Sequence, residues 1–276
     1  MNPKPFIKWA GGKRQLLPIL TQHLPERAAD SVYVEPFVGG GALLFHLQPA
    51  MSIISDSNPE VANAYSVLRD HLEELLAAMA EHRNEESYYY AVRAQNPLNL
   101  SSVERASRFL FLNRTCFNGL YRVNKDGQFN VPFGHYKNPT LVDADNLRAV
   151  SAYLRSNQGV ICSNDFRLTL SAVMNACQGN PDKTDTVFVY LDPPYHGTFT
   201  GYTQRGFGAQ DQESLAAWYA SLNQVGCRVL LSNSNTDLIC NLYRDFEIVE
   251  VEASRNINRD GSKRGKTKCE VLVKNY

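Results

Sequence analysis

The chain lacks net charge: 28 Lys and Arg offset 28 Asp and Glu. No overall field draws a polyanion to it, so any affinity for nucleic acid has to come from how the charges are distributed. Cysteine is sparse and unpatterned. The six, at 116, 162, 177, 227, 240 and 269, form no Cys-x-x-Cys pair and lie beside no histidine cluster of metal-ligand spacing. A zinc module and a disulfide framework are thereby disfavoured, the thiols read as reduced and mostly buried, and no metal is expected. No apolar stretch approaches the roughly 20 residues that span a bilayer. Met1 to Lys13 carries no apolar core like that of a secretory signal, so the expectations are no membrane association and cytoplasmic residence.

In place of these features the chain offers 276 residues, 43% of them hydrophobic, without a long low-complexity tract. That length suffices for a full core in one large domain or two smaller ones. The charges are segregated. Between Arg255 and Lys268, six bases (Arg255, Arg259, Lys263, Arg264, Lys266, Lys268) face the single acid Asp260, and a second basic and aromatic set runs from Arg105 to Lys137. Runs of this kind are usually solvated surface, and they also suit an anionic partner.

The sharpest local feature is Leu191-Asp192-Pro193-Pro194-Tyr195, directly after the apolar run Val187-Phe188-Val189-Tyr190. The run reads as a buried strand that ends at a loop, where α/β folds place their ligands. Such a tip suits methyl transfer to an aromatic amine. An exocyclic NH2 conjugated with its ring is a poor nucleophile and needs acceptors for both hydrogens. The Asp192 carboxylate and the Pro193 carbonyl, with φ locked by the adjacent rings of Pro193 and Pro194, can accept both, and Tyr195 can stack on the base. A surface turn or an extended recognition segment is the plainer reading of the same residues.

Upstream, Ser31 to Glu35 is strand-like, Pro36 to Gly41 is a glycine turn, Ala42 to Leu47 begins a helix, and Met51 to Ser55 is a second strand ending at Asp56. This β-turn-α-β order, with an acid at the second strand's tip, is the arrangement that holds an adenosine ribose. Glycines at 39, 40 and 41 let backbone approach a ligand. The spacing lacks the full Gly-x-Gly-x-x-Gly pattern, which favours a nucleoside without phosphates, and S-adenosyl-L-methionine fits. Helical periodicity over Val61 to His82, serines at 101 and 102 able to cap a second helix, and a β-hairpin signal around Lys125-Asp126-Gly127-Gln128 mark residues 58–159 as an inserted module. The α/β rhythm resumes at Val160, and Phe246 to Ala253 with Cys269 to Lys274 read as a closing antiparallel hairpin at a sheet edge. The expected fold is α/β: a Rossmann-like methyltransferase sheet formed by residues 1–57 and 160–276, plus the mainly helical insert with its β-hairpin.

Taken in order, Phe6-Ile7-Lys8-Trp9-Ala10-Gly11-Gly12-Lys13, Val34 to Gly41, Asp56, Asn113-Arg114 with Asn118 to Arg122, Phe129 to Gly134, and Asp192 to Tyr195 resemble the DNA adenine methyltransferase (Dam) family over nearly the whole length. The resemblance implies an adenine-specific enzyme that uses S-adenosylmethionine and acts on double-stranded DNA, with 58–159 as the target-recognition domain. It implies that Trp9 and Lys13 contact the cofactor, that Phe37, Gly39 and Gly41 line its pocket, that Asp56 holds the ribose, that Asp165 and Phe166 frame the adenine, and that Asp192 lies beside the methionine portion. A phosphate-loop reading of Gly11-Gly12-Lys13 fails, because Arg14 replaces the Ser or Thr that would reach magnesium.

For DNA the resemblance gives Lys8 and Arg122 as readers of guanine edges, Leu120 and Pro132 as contacts to thymine methyls, Phe117 as a wedge into the stack, and Asn118 as filler of the vacated space. Arg114, Asn124, Asn130 and Lys137 would contact phosphates. GATC is the implied site. Phe117 stands where better-known members have Tyr, and His135 where some have Arg. The competing readings are N4-methylation of cytosine and, in another class, a noncatalytic DNA-binding regulator. A separate cognate restriction endonuclease is an open partner, and monomer is the default state.

Overall fold

The computed structural model describes residues 1–179, 184, 186–198, 206–254 and 267–276. The expected basic loop from Arg255 to Lys266 lies outside the described residues, as does the side chain of Lys268.

Short apolar runs bounded by glycine, proline or acids become strands. They are β1 (Val32–Glu35), β2 (Met51–Ser55), β3 (Val160–Cys162), β4 (Val187–Leu191), β5 (Arg228–Ser234), β6 (Glu247–Ser254) and β7 (Thr267–Lys274). They form one seven-stranded sheet in the order β3-β2-β1-β4-β5-β7-β6. The first five are parallel, and β7 inserts antiparallel between β5 and β6. The expected closing hairpin is therefore present at the sheet's edge. Strand order reverses direction between β1 and β4, and that switch opens a crevice at the carboxyl ends of the strands. Glu35, Asp56 and Asp192 all lie at or just beyond those ends.

The helices are α1 (Leu17–Leu20), α2 (Ala42–Leu47), α3 (Pro59–Asp70), α4 (Leu72–Ala80), α5 (Glu86–Ala94), α6 (Ser102–Thr115), α7 (Ala144–Ser156), α8 (Phe166–Gly179), α9 (Ala209–Gln224) and α10 (Asp237–Leu242). The helical run expected over Val61 to His82 is two helices, because His71 leaves the helical region at φ −136°. Ser101 caps α6 in a reciprocal box with Glu104, which satisfies backbone donors that the first turn leaves open. No described helix is long and apolar enough to cross a membrane.

Both faces of the sheet are covered, as parallel strands require. On one face Tyr33, Phe188, Tyr190 and Leu230 pack with Tyr65 of α3, Phe111 of α6 and Val150 of α7. On the other, Val34, Val189, Leu191 and Val229 pack with Leu170 of α8, Tyr219 of α9 and Ile239 of α10. The helices of residues 58–159 thus share one apolar core with the sheet. Three of the six thiols, Cys116, Cys177 and Cys227, are buried; Cys162 and Cys240 are half-buried and Cys269 is exposed.

The N-terminal segment is strapped onto α6. The Lys8 N–H donates to Asn113 Oδ1 at 2.7 Å, and Asn113 Nδ2 returns a bond to the Lys8 carbonyl at 2.7 Å. Arg114 adds a bond to the Phe6 carbonyl at 2.8 Å. Asn113 is buried, so Asn113→Ala strands two backbone groups of Lys8. It is expected to cost about 2 kcal/mol in urea unfolding, with faster hydrogen exchange at the Lys8 amide.

The expected hairpin forms, and its pairing is short. Val123 and Phe129 form an isolated antiparallel bridge, flanked by bonds from the Asn124 amide to the Gln128 carbonyl at 2.9 Å and from the Asn130 amide to the Arg122 carbonyl at 3.1 Å, and a second bridge joins Cys116 to Phe133. Pro132 lacks a ladder donor, and the Asn124 carboxamide folds the turn by accepting from the amides of Asp126 and Gln128 at 3.0 and 2.9 Å.

Candidate active site

β4 ends at Leu191, and the rings of Pro193 and Pro194 prevent the strand from continuing. Asp192 is left at the tip with its side chain 17% exposed. Lys13 Nζ lies 2.6 Å from Asp192 Oδ1, and Ser232 Oγ donates to the same oxygen at 2.9 Å. Oδ2 carries neither bond. Burial pushes the Asp192 carboxyl up from its ordinary value, while Lys13 and the Ser232 hydroxyl hold it down. Lys13 is itself buried, and its ammonium also donates to the Gly11 carbonyl at 2.6 Å.

The loop after Asp192 is held from below. Gln212 Nε2 donates to the Pro194 carbonyl at 2.9 Å, and Asn233 Nδ2 donates to Gln212 Oε1 at 3.0 Å. Asn233 Oδ1 in turn accepts from the His196 amide at 3.0 Å. The Tyr195 ring is buried, and Lys13 Nζ lies 4.5 Å from its centroid.

Across the switch point, the glycine turn after β1 and the tip of β2 close on one another. Asp56 Oδ2 accepts from the Gly39 amide at 3.0 Å and Oδ1 from the Asn58 amide at 2.8 Å. Burial pushes the Asp56 carboxyl up to about 6 against these bonds. Gly39 has φ +44°, and a Cβ there would lie 2.6 Å from Trp9 Cδ1. Gly41 has φ +65°, and a Cβ would strike the Tyr65 hydroxyl. Trp9 itself stacks on Tyr121 at 5.8 Å.

Beside this turn three rings converge: Phe37 with Phe166 at 5.4 Å, Phe37 with Phe207 at 5.9 Å, and Phe166 with Phe207 at 5.8 Å. Arg167 lies over Phe166 at 4.4 Å and bonds both Asp165 and Asp211. Asp165 therefore orients Arg167 at the start of α8. Glu35, at the end of β1, is buried with one carboxyl oxygen unpartnered, and burial pushes its carboxyl well up. Glu35, Ser232, Gln212, Asn233 and Phe207 are absent from the sequence-based set.

The residues read as DNA contacts fall into two neighbouring groups. Lys8, Arg114 and Lys137 line one cavity with Tyr136, and Lys8 Nζ lies 4.7 Å from the Tyr136 ring. Burial and the Arg114 charge lower the Lys8 pKa. Nearby, the Phe117 amide donates to the Pro132 carbonyl at 2.9 Å. The Phe117 ring is 46% exposed, Asn118 sits at φ +56°, Leu120 is half-buried and Pro132 exposed. Arg122 Nε donates to Asn130 Oδ1 at 2.6 Å, so those two side chains are paired with each other. Asn124 is engaged in its own turn.

Comparison with known proteins places this geometry. Residues 9–257 match the family described as D12 class N6 adenine-specific DNA methyltransferase. The chain is 42% identical to the Type II methyltransferase M1.LlaDCHI of Lactococcus lactis subsp. cremoris, over all of this chain (100%) and 96% of that protein. It is 40% identical to the Type II methyltransferase M.MjaIII of Methanocaldococcus jannaschii, with 100% of both covered. It is 33% identical to the DNA adenine methylase of Haemophilus influenzae, over 99% and 94% of the two chains. With the crevice at the strand switch and the Asp192–Tyr195 loop at its edge, this chain belongs to the D12 class of N6 adenine-specific DNA methyltransferases.

Proposed function

We propose that the enzyme transfers a methyl group from S-adenosyl-L-methionine to N6 of an adenine flipped out of duplex DNA, within GATC. The observation that carries the chemistry is Asp192, held on Oδ1 by Lys13 and Ser232 with Oδ2 outside those bonds, next to the ring of Tyr195 and across the switch point from Asp56. The residues present fit the cofactor. Asp56 offers a buried carboxylate for ribose hydroxyls, Gly39 has no side chain where backbone must approach, and Phe37, Phe166 and Phe207 supply apolar faces. Trp9, Lys13 and Gly41 complete that pocket, with Asp165 acting through Arg167. Bound there, the cofactor would supply an electrophilic methyl group on a cationic sulfur.

The chain's own residues do the rest. Asp192 and the Pro193 carbonyl accept the two N6 hydrogens and aim the nitrogen lone pair. Tyr195 stacks on the base, offsetting the few kcal/mol that flipping costs, and Asp192 or water takes the surplus proton. No cysteine nucleophile is needed. Arg122 and Lys8 read guanines, Leu120 and Pro132 meet thymine methyls, Phe117 wedges and Asn118 fills the gap. Arg114, Asn124, Asn130 and Lys137 position the backbone, which makes residues 58–159 the recognition domain. The enzyme would act as a monomer in the cytoplasm, with a restriction endonuclease cutting the same site as a natural counterpart.

The test of site and substrate is transfer of a labelled methyl group to a GATC duplex, with none to a duplex changed at one base. A pH signature accompanies it. Protonated Asp56 accepts fewer hydrogen bonds, so S-adenosylmethionine affinity is expected to fall as pH drops through about 6. The loss should approach roughly tenfold per pH unit below that value, read by calorimetric titration.

A further inference from the structure

We infer that Glu270 is a positioning residue for Tyr195, holding from β7 the ring that stacks on the extrahelical adenine. The inference rests on the reading of Tyr195 given above. Tyr195 Oη donates to Glu270 Oε2 at 3.1 Å, and both side chains are buried. Glu270 lies opposite Ser234 of β5, in a strand that continues with buried Val271, Leu272 and Val273. A carboxylate in such a place is costly unless it is bonded, and an aliphatic side chain would fill the same pleat without that cost. Its bond reaches the far end of the Tyr195 side chain.

The near end is fixed separately. The Thr198 amide and hydroxyl donate to the Tyr195 carbonyl at 3.1 and 2.7 Å. Lys13 sits against the ring. The ring is thus held at its backbone, along its face and at its hydroxyl, which fixes its plane beside Asp192. β4, β5 and β7 are neighbours in the sheet. Asp192 just beyond β4, Ser232 on β5 and Glu270 on β7 therefore place three polar groups from successive strands around one loop. The Glu270 side chain gives the hydroxyl an acceptor oxygen that an aliphatic side chain lacks.

The test compares Glu270→Leu with Glu270→Gln, which keeps an acceptor oxygen at the same reach. With wild-type enzyme and a GATC duplex, E270L is expected to lower the single-turnover rate about ten- to a hundredfold through misplacement of the ring. The dissociation constant for S-adenosylmethionine should stay unchanged. E270Q should recover most of the loss. In a Tyr195→Phe background, which already lacks the hydroxyl, E270L should add no further loss. A fluorescent 2-aminopurine at the target position should report altered stacking in E270L and near-normal stacking in E270Q.

Three results would overturn the inference: an unchanged E270L rate, an E270L loss of equal size on top of Tyr195→Phe, or a fall in cofactor affinity that matches the fall in rate. Absence of adenine methylation by the wild-type enzyme would overturn the underlying reading as well. An active wild type with an indifferent E270L overturns the inference alone.

Discussion

An Asp192→Ala enzyme is expected to lose about three orders of magnitude or more in single-turnover rate while still binding DNA. The target amine is conjugated with its ring, and its lone pair becomes available only when both hydrogens are held out of the way of the incoming methyl. In the proposed mechanism Asp192 supplies one of the two acceptors, and its position is set by Lys13 at 2.6 Å and Ser232 at 2.9 Å. Alanine removes the acceptor and leaves the Lys13 ammonium without its anionic partner, still bonded to the Gly11 carbonyl. Asp192→Asn retains one carbonyl oxygen and should lose less. On the proposed reading DNA affinity rests mainly on Lys8, Arg114, Arg122 and Lys137, while Asp192 is held by Lys13 and Ser232. Rapid-quench kinetics and mobility-shift titration separate the two effects. A D192A enzyme of near-normal rate would remove Asp192 from the mechanism.

Gly39→Ala is expected to weaken S-adenosylmethionine binding about a hundredfold, close to 3 kcal/mol. Two costs add. At φ +44° an L side chain is strained by about 1–2 kcal/mol. The new Cβ would also lie 2.6 Å from both Cδ1 and Nε1 of Trp9. Trp9 cannot simply retreat, because Tyr121 stacks on it at 5.8 Å. The turn must shift instead, and the Gly39 amide moves away from Asp56 Oδ2, now 3.0 Å from it. Gly127→Ala is the control: φ there is +77°, yet nothing lies within 4 Å of the added Cβ. It should share the conformational cost and leave cofactor affinity alone. Equal affinity in G39A and wild type would place the cofactor elsewhere.

Much of the site was legible because its signals are local. An apolar run stopped by two prolines marks the end of β4 whatever surrounds it, and a glycine turn followed by a strand ending in an acid marks the pocket at Asp56. The capping box at Ser101 is equally local. Ser232, Gln212, Asn233 and Glu270 were invisible for the opposite reason. Each reaches the Asp192–Tyr195 loop only through the strand order and through α9, so no spacing along the chain records the contact. Phe207 joins Phe37 and Phe166 in the same way. The hairpin was legible from its turn residues, and its pairing is short: the Asn124 and Asn130 amides bond the Gln128 and Arg122 carbonyls around the Val123–Phe129 bridge. The break at His71 was also missed, since the apolar spacing continues across it.

Nucleoside mass spectrometry distinguishes adenine methylation at a defined site from every competing chemistry. Unmethylated duplexes with and without GATC are incubated with the enzyme and S-adenosylmethionine, digested and analysed. N6-methyladenine from the GATC duplex alone is the predicted result. N4-methylcytosine, or no methylated base in either duplex, would contradict it.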